Sequence, residues 1–167
     1  VHRGSHILAD EADAAYEGAR AIVADFIVAD VDEVIFTKGA TESLNAIAYS
    51  FGNSAKGSRF SLDAGDTIVV TEMEHHANLI PWQQLAQRTG AQLKWIPVNS
   101  EGRLDLSDID VIVDASTKVL AFTHQSNVLG TINDVSALVM AAKKVGAVTV
   151  LDACQSVPHF AVNVKAL

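Results

Sequence analysis

Cysteine is almost missing: Cys154 is the single one in 167 residues, which excludes an internal disulfide framework and leaves no thiolate metal cluster. Positive charge is scarce as well. Lys and Arg total 12 against 20 Asp and Glu, a net charge of -8, so neither nucleic acid nor an anionic membrane is expected as a partner. Every apolar stretch is interrupted by polar residues before it could span a bilayer. The opening Val1-His2-Arg3-Gly4-Ser5-His6 lacks the basic-then-apolar layout of a secretion signal. No G-x-G-x-x-G or Walker sequence occurs, which weakens dinucleotide and nucleoside triphosphate readings. A cytoplasmic protein is expected.

What is present is apolar. Hydrophobic residues make up 49% of the chain, enough for one domain, residues 1–167, with a sizeable core. The chain starts without methionine and ends on Val164-Lys165-Ala166-Leu167, and reads as the middle of something longer.

Apolar spacing predicts a helix over residues 8–28, a strand over 32–37, and a helix from Thr41 that stops near Gly52. Residues 53–66 are rich in Ser, Gly and Asp and read as a solvated loop. Residues 67–71 form a buried-type strand. Asn78 is placed to cap a helix whose first turn tolerates Pro81 and which Gly90 closes. Strands follow at 92–96, 118–122 and 147–151. Between them stand a helix with Leu106, Ile109 and Val113 inward, and another that Asp134 caps and Gly146 ends. Alternation of this kind predicts an α/β fold of three layers, a mainly parallel sheet with helices on both faces.

In such sheets ligands bind beyond the carboxyl ends of the strands. Four of these ends carry unusual polar residues: Gly39-Ala40-Thr41, Glu74-His75-His76, His124-Gln125-Ser126-Asn127 and Asp152-Ala153-Cys154-Gln155. The first offers a natural phosphate site, with free backbone N–H groups, a hydroxyl and the helix dipole, though taken alone it reads first as an ordinary turn with a threonine cap. Adjacent His75 and His76 suit one metal poorly, and no H-x-x-x-H spacing accompanies them. Stacking of one imidazole on a flat aromatic ligand is a better use, against a plain bond to backbone. Asp152 ends an apolar strand, so its carboxylate needs a positive partner, such as a protonated pyridine nitrogen, or serves as a cap for the next turn. Cys154 reads as a small core residue, and His2, His6, His124 and His159 are ambiguous.

These residues resemble a known family. Glu72-Met73-Glu74-His75-His76-Ala77-Asn78-Leu79-Ile80-Pro81-Trp82-Gln83 looks like the signature of the group II, Suf-type cysteine desulfurases of the class V aminotransferase superfamily. The likeness extends through Gly39-Ala40-Thr41-Glu42, Thr123-His124-Gln125-Ser126-Asn127-Val128-Leu129-Gly130 and Asp152-Ala153-Cys154-Gln155-Ser156-Val157-Pro158-His159, and so covers essentially the whole chain. It implies the large domain of a type I pyridoxal 5'-phosphate (PLP) transferase, here incomplete. It further implies that Ala40 and Thr41 bind the cofactor phosphate, and that His75 stacks on the pyridine ring and moves protons. Asp152 pairs with the ring nitrogen, Gln155 with the phenolic oxygen, and Asn127 contacts substrate or ring. His2 and Arg3 match positions near the cleft without a firm role.

The implied reaction takes L-cysteine to L-alanine and an enzyme persulfide, whose sulfur passes to a Suf-system acceptor protein for iron–sulfur cluster assembly. The resemblance also implies a homodimer. The cofactor-anchoring lysine and the persulfide cysteine belong to motifs absent from these residues, so the chain alone is expected to be inactive. The strand at 33–37 is expected to lack its usual neighbours, giving self-association, rearrangement or disorder. Other readings stay open: a selenocysteine lyase, a sulfinate desulfinase or another class V enzyme; a non-catalytic dimerising domain; or a zinc hydrolase built on His75 and His76.

Overall fold

A computed structural model describes residues 4–167; His2 and Arg3 lie outside them. The chain divides into two compact units, residues 37–158 and, separately, the residues up to 36 with 159–167.

In the smaller unit, helix α1 spans Ile7–Ile27. His6, ambiguous in the sequence, starts it: Nδ1 accepts the Ala9 N–H at 3.2 Å. At its other end Val28 takes the left-handed conformation, φ 59° and ψ 47°, where a β-branched side chain crowds its own backbone. Asn tolerates that region, and Val28 is 45% exposed, so little burial is lost on replacing it. Val28→Asn is expected to stabilise the chain by about 1 kcal/mol; an unmoved denaturant midpoint would contradict the strain.

The strand expected at 32–37 does not form. Val31–Glu33 make one turn of 3-10 helix, capped by a reciprocal Asp30–Glu33 box, and residues 34–37 run on without a ladder partner. Val, Ile and Phe suit a pleated surface, but a strand is held by its neighbours. Here none pairs with the segment among the described residues, and Ile35 is 81% exposed. Arg20 instead ties it down, its guanidinium donating to the Val34 carbonyl and lying 5.2 Å from the rings of Tyr16 and Phe36. Lys165 and Asp30 pair at 2.6 Å in the same unit.

The larger unit is the predicted α/β layer structure. Helix α2 (Ala40–Gly52) precedes strand β1 (Thr67–Thr71), then come α3 (Ile80–Thr89), β2 (Gln92–Ile96), a single turn α4 (Ile109–Ile112), β3 (Thr117–Thr123), α5 (Val135–Val145) and β4 (Val148–Asp152). The strands form one four-stranded sheet in the order β2-β1-β3-β4, all pairs parallel. The longer helix expected around Leu106 shrinks to α4, since Leu106 itself precedes it.

Alternation along the strands serves two faces. Ile68, Val70, Val119, Ala121 and Val150 pack under Leu44, Ala48 and Phe51 of α2 and Trp82, Leu85 and Ala86 of α3. Val69, Leu120 and Phe122, all fully buried, point the other way, and there α5 covers β3 and β4 with Leu138 and Ala142. Asp134 caps α5 by accepting the Ala137 N–H at 3.0 Å, while Gly90 and Gly146 take the left-handed turn ending α3 and α5. Asn78 is not the cap of α3. Leu79 holds that position, and Asn78 is fully buried, its amide spent on side chains. No helix among the described residues is long and apolar enough to cross a membrane.

Candidate active site

Parallel pairing sets the carboxyl ends of the strands at one edge: Thr71 lies opposite Ile96, and Thr123 opposite Asp152. The loops leaving β1, β3 and β4 therefore meet, together with the start of α2. They enclose a cleft of about 250 Å³ lined by Ala40, Thr41, His75, Ala77, Thr123, Gln125, Asn127, Asp152, Cys154 and Gln155. All six residues singled out from the sequence as a site, Ala40, Thr41, His75, Asn127, Asp152 and Gln155, are on that lining. Two wider cavities share residues with it. One of about 620 Å³ shares His75 and Asn127. The other, about 410 Å³, shares Ala40, Asp152 and Cys154. A further cavity between α2 and α3, about 460 Å³ with Glu42, Tyr49 and Arg88 on its walls, lies away from these strand ends.

The α2 end of the cleft is a donor site. Gly39, not Thr41, is the residue that starts the helix, so Thr41 sits in the first turn. The N–H groups of that turn have no partner within the helix, and the helix dipole points its positive end the same way. Gly39 adopts φ 155° and ψ 174°, a region almost closed to other residues. A Cβ there would meet nothing within 4 Å, so Gly39→Ala tests backbone strain without a clash. It is expected to cost about 1–3 kcal/mol in denaturant unfolding; a wild-type denaturant midpoint would contradict this geometry.

His75 comes in through a short 3-10 turn, His76–Asn78, that its own side chain caps. The Ala77 N–H donates to its Nδ1 at 3.1 Å. In the neutral ring that places the proton on Nε2. The two histidine rings stand 6.1 Å apart and tilted by 49°, and among the described residues no group of three His, Cys, Asp or Glu is arranged to hold a metal.

Asp152 is buried at the end of β4, and its Oδ1 accepts the Cys154 N–H at 3.0 Å. It does cap the next turn, as one reading of the sequence allowed, and it faces the cleft as well. Among the described residues no Lys or Arg pairs with it. Its negative charge is felt nearby: burial first, then Asp152, pushes the Cys154 thiol up. Cys154 is exposed, which corrects its reading as a core residue. Asn127 is carried on a loop that Ser126 organises, with Oγ accepting the N–H groups of Val128 and Leu129 at 3.2 and 3.1 Å.

Two residues grouped with these loops in the sequence, but given no role, stand out in space. Gln125 lines the cleft with its Oε1 buried and unbonded among the described residues. Glu74 lies half-buried between β1 and β3. It accepts Thr71 Oγ1–H at 2.5 Å and the Thr123 N–H at 2.8 Å on Oε1, and Asn78 Nδ2–H at 2.6 Å on Oε2. Trp82 Nε1–H donates to Asn78 Oδ1 at 3.0 Å. Burial pushes the Glu74 carboxyl up to about 7, with help from Asp152 and against the pull of those three donors.

The Aminotransferase class-V family matches residues 1–167. A protein of Mycobacterium leprae named "Probable cysteine desulfurase 2" is 55% identical over 168 residues, covering 100% of this chain and 39% of its own length. A "Probable cysteine desulfurase" of Streptomyces coelicolor is 53% identical, covering 100% of this chain and 40% of its own. Among solved structures, the apo cysteine desulfurase of Thermococcus onnurineus superposes with a TM-score of 0.89 at 45% identity, over 98% of this chain and 39% of that one. The chain thus spans about 40% of the length of such curated relatives. With a family match along its full length and relatives this similar, the chain belongs to the class-V aminotransferases.

Proposed function

We propose that this chain contributes the cofactor-holding part of a PLP-dependent cysteine desulfurase, in which L-cysteine yields L-alanine and a persulfide sulfur for iron–sulfur cluster assembly. The observation that carries the reading is the gathering of all six site residues on one cleft, among relatives named cysteine desulfurases. Residues 1–167 are taken as one incomplete large domain, working as a homodimer in the cytoplasm and delivering sulfur to a Suf-type acceptor. The Glu72–Gln83 stretch supports the Suf-type group in particular.

The residues present fit the cofactor. Ala40 and Thr41 offer backbone N–H groups and a hydroxyl to its phosphate at the positive end of α2. The imidazole of His75, with Nε2 as its donor, would serve the ring, and Gln155 and Asn127 would supply amides for the ring oxygen and the substrate carboxylate. Asp152, buried and without a cation among the described residues, would hold the proton on the ring nitrogen. Bound in this way, PLP supplies an electron sink for bonds at the α-carbon of the amino acid. The protein's part is to keep that sink charged, flat and shielded, and to exchange protons at the face of the ring through His75.

No lysine lines the cleft among the described residues. A polypeptide of these residues alone is therefore expected to hold PLP reversibly, losing its visible absorbance on dialysis. The complete enzyme should keep that absorbance and form L-alanine from L-cysteine, releasing sulfide once a dithiol reductant is supplied. A complete enzyme that neither binds PLP nor consumes L-cysteine would refute the proposal.

A further inference from the structure

We infer that Glu74 is the positioning residue for His75, fixing the turn that carries the imidazole by clamping it between the ends of β1 and β3. The inference deepens the proposed function and rests on it for the catalytic consequence, though not for the geometry.

Glu74 is the residue immediately before His75, and its carboxylate does not face the cleft as a reagent. It is spent on three donors from three elements: the Thr71 hydroxyl that ends β1, the Thr123 N–H that ends β3, and the Asn78 amide that ends the His76–Asn78 turn. Thr123 and Glu74 are 49 residues apart in the chain, so the contact sets where the turn sits on the sheet. The direction of each bond is determined. Thr71 Oγ1 already accepts the Met73 N–H at 3.2 Å, which leaves its proton for Glu74. The Asn78 oxygen is committed to the indole of Trp82, which is fully buried, so only its NH2 can face Glu74. The network thus sets a donor against each oxygen of residue 74, which a carboxyl oxygen can accept in either protonation state and an amide nitrogen cannot.

That polarity gives a test that volume alone cannot mimic. In Glu74→Gln the amide oxygen can keep Thr71 and Thr123, but its NH2 then confronts the NH2 of Asn78. Asn78→Asp alone sets two carboxylates against each other. In the double variant Glu74→Gln/Asn78→Asp, the introduced amide donates to the introduced carboxylate, which still accepts from Trp82, and every bond regains a donor and an acceptor.

The experiment uses the full-length enzyme in four forms: wild type, each single variant and the double. Histidine ring nitrogen NMR of the cofactor-free protein reads whether Nδ1 of His75 keeps its bond to the Ala77 N–H. Absorbance of bound PLP and kcat against KM read the consequence. Both single variants are expected to disturb the His75 ring signal and to lower kcat by about tenfold to a hundredfold, the scale of a misplaced catalytic group, with KM little changed; the double variant recovers most of both. A wild-type ring signal in Glu74→Gln, or a double variant no better than the singles even where a single fails to fold, overturns the inference. If the wild type binds no PLP, the proposed function fails while the ring signal still decides the role of Glu74.

Discussion

Replacing Asp152 with alanine in the complete enzyme is expected to lower turnover about a hundredfold to a thousandfold, the scale of removing one preorganised electrostatic partner. Asp152 is buried, reaches the cleft from the end of β4, and has one oxygen on the Cys154 N–H. A buried carboxylate without a cation is costly to maintain; under the proposed function a protonated ring nitrogen would offset that cost, and the carboxylate would keep the nitrogen charged. Asp152→Asn retains the bond to Cys154 through its side-chain oxygen but loses the charge and turns the other oxygen into an NH2 donor. Turnover in this variant should fall nearly as far, while the melting temperature stays close to wild type. Asn at 152 with wild-type rates would mean that Asp152 caps its turn and does nothing else.

The next largest effect is on stability as a function of pH. Burial lifts the Glu74 carboxyl from its ordinary 4.5 to about 7, so the folded chain binds this proton more tightly than the unfolded one. Below about 4.5 both states are protonated and the contribution is full. Between about 4.5 and 7 the folded state holds more protons, and rising pH removes stability, by about 3 kcal/mol in all. Above about 7 the contribution is gone. Asp114, held near 2 by Lys94 and Ser116, acts in the opposite sense but only below its ordinary value of 3.8, so the two windows separate. Urea unfolding from pH 4.5 to 8 should show wild type losing stability relative to Glu74→Gln as pH climbs. A difference between the two that is flat in pH would contradict the shift.

Much of this was legible because the strands are short apolar runs bounded by turn residues. β1 and β2 fall at 67–71 and 92–96 as expected, and α5 starts after Asp134 and stops at Gly146. The site was legible for a topological reason: once the strands are parallel, the loops after β1, β3 and β4 have to share an edge, wherever they lie in the sequence. What escaped depends on partners that a linear pattern does not contain. Residues 32–37 have the composition of a strand and no neighbour to pair with. Asn78 looks like a helix cap, yet its amide is used by Glu74 and Trp82. The role of Glu74 needs Thr123, which local reading cannot bring to it.

The most direct measurement of the central claim is a crystal structure of the longer protein grown with PLP. The account predicts electron density for the cofactor between Thr41, His75, Asn127 and Asp152, with its ring nitrogen within hydrogen-bonding distance, about 2.7–3.2 Å, of the Asp152 carboxylate. PLP seated elsewhere, or a ring nitrogen facing away from Asp152, would contradict it.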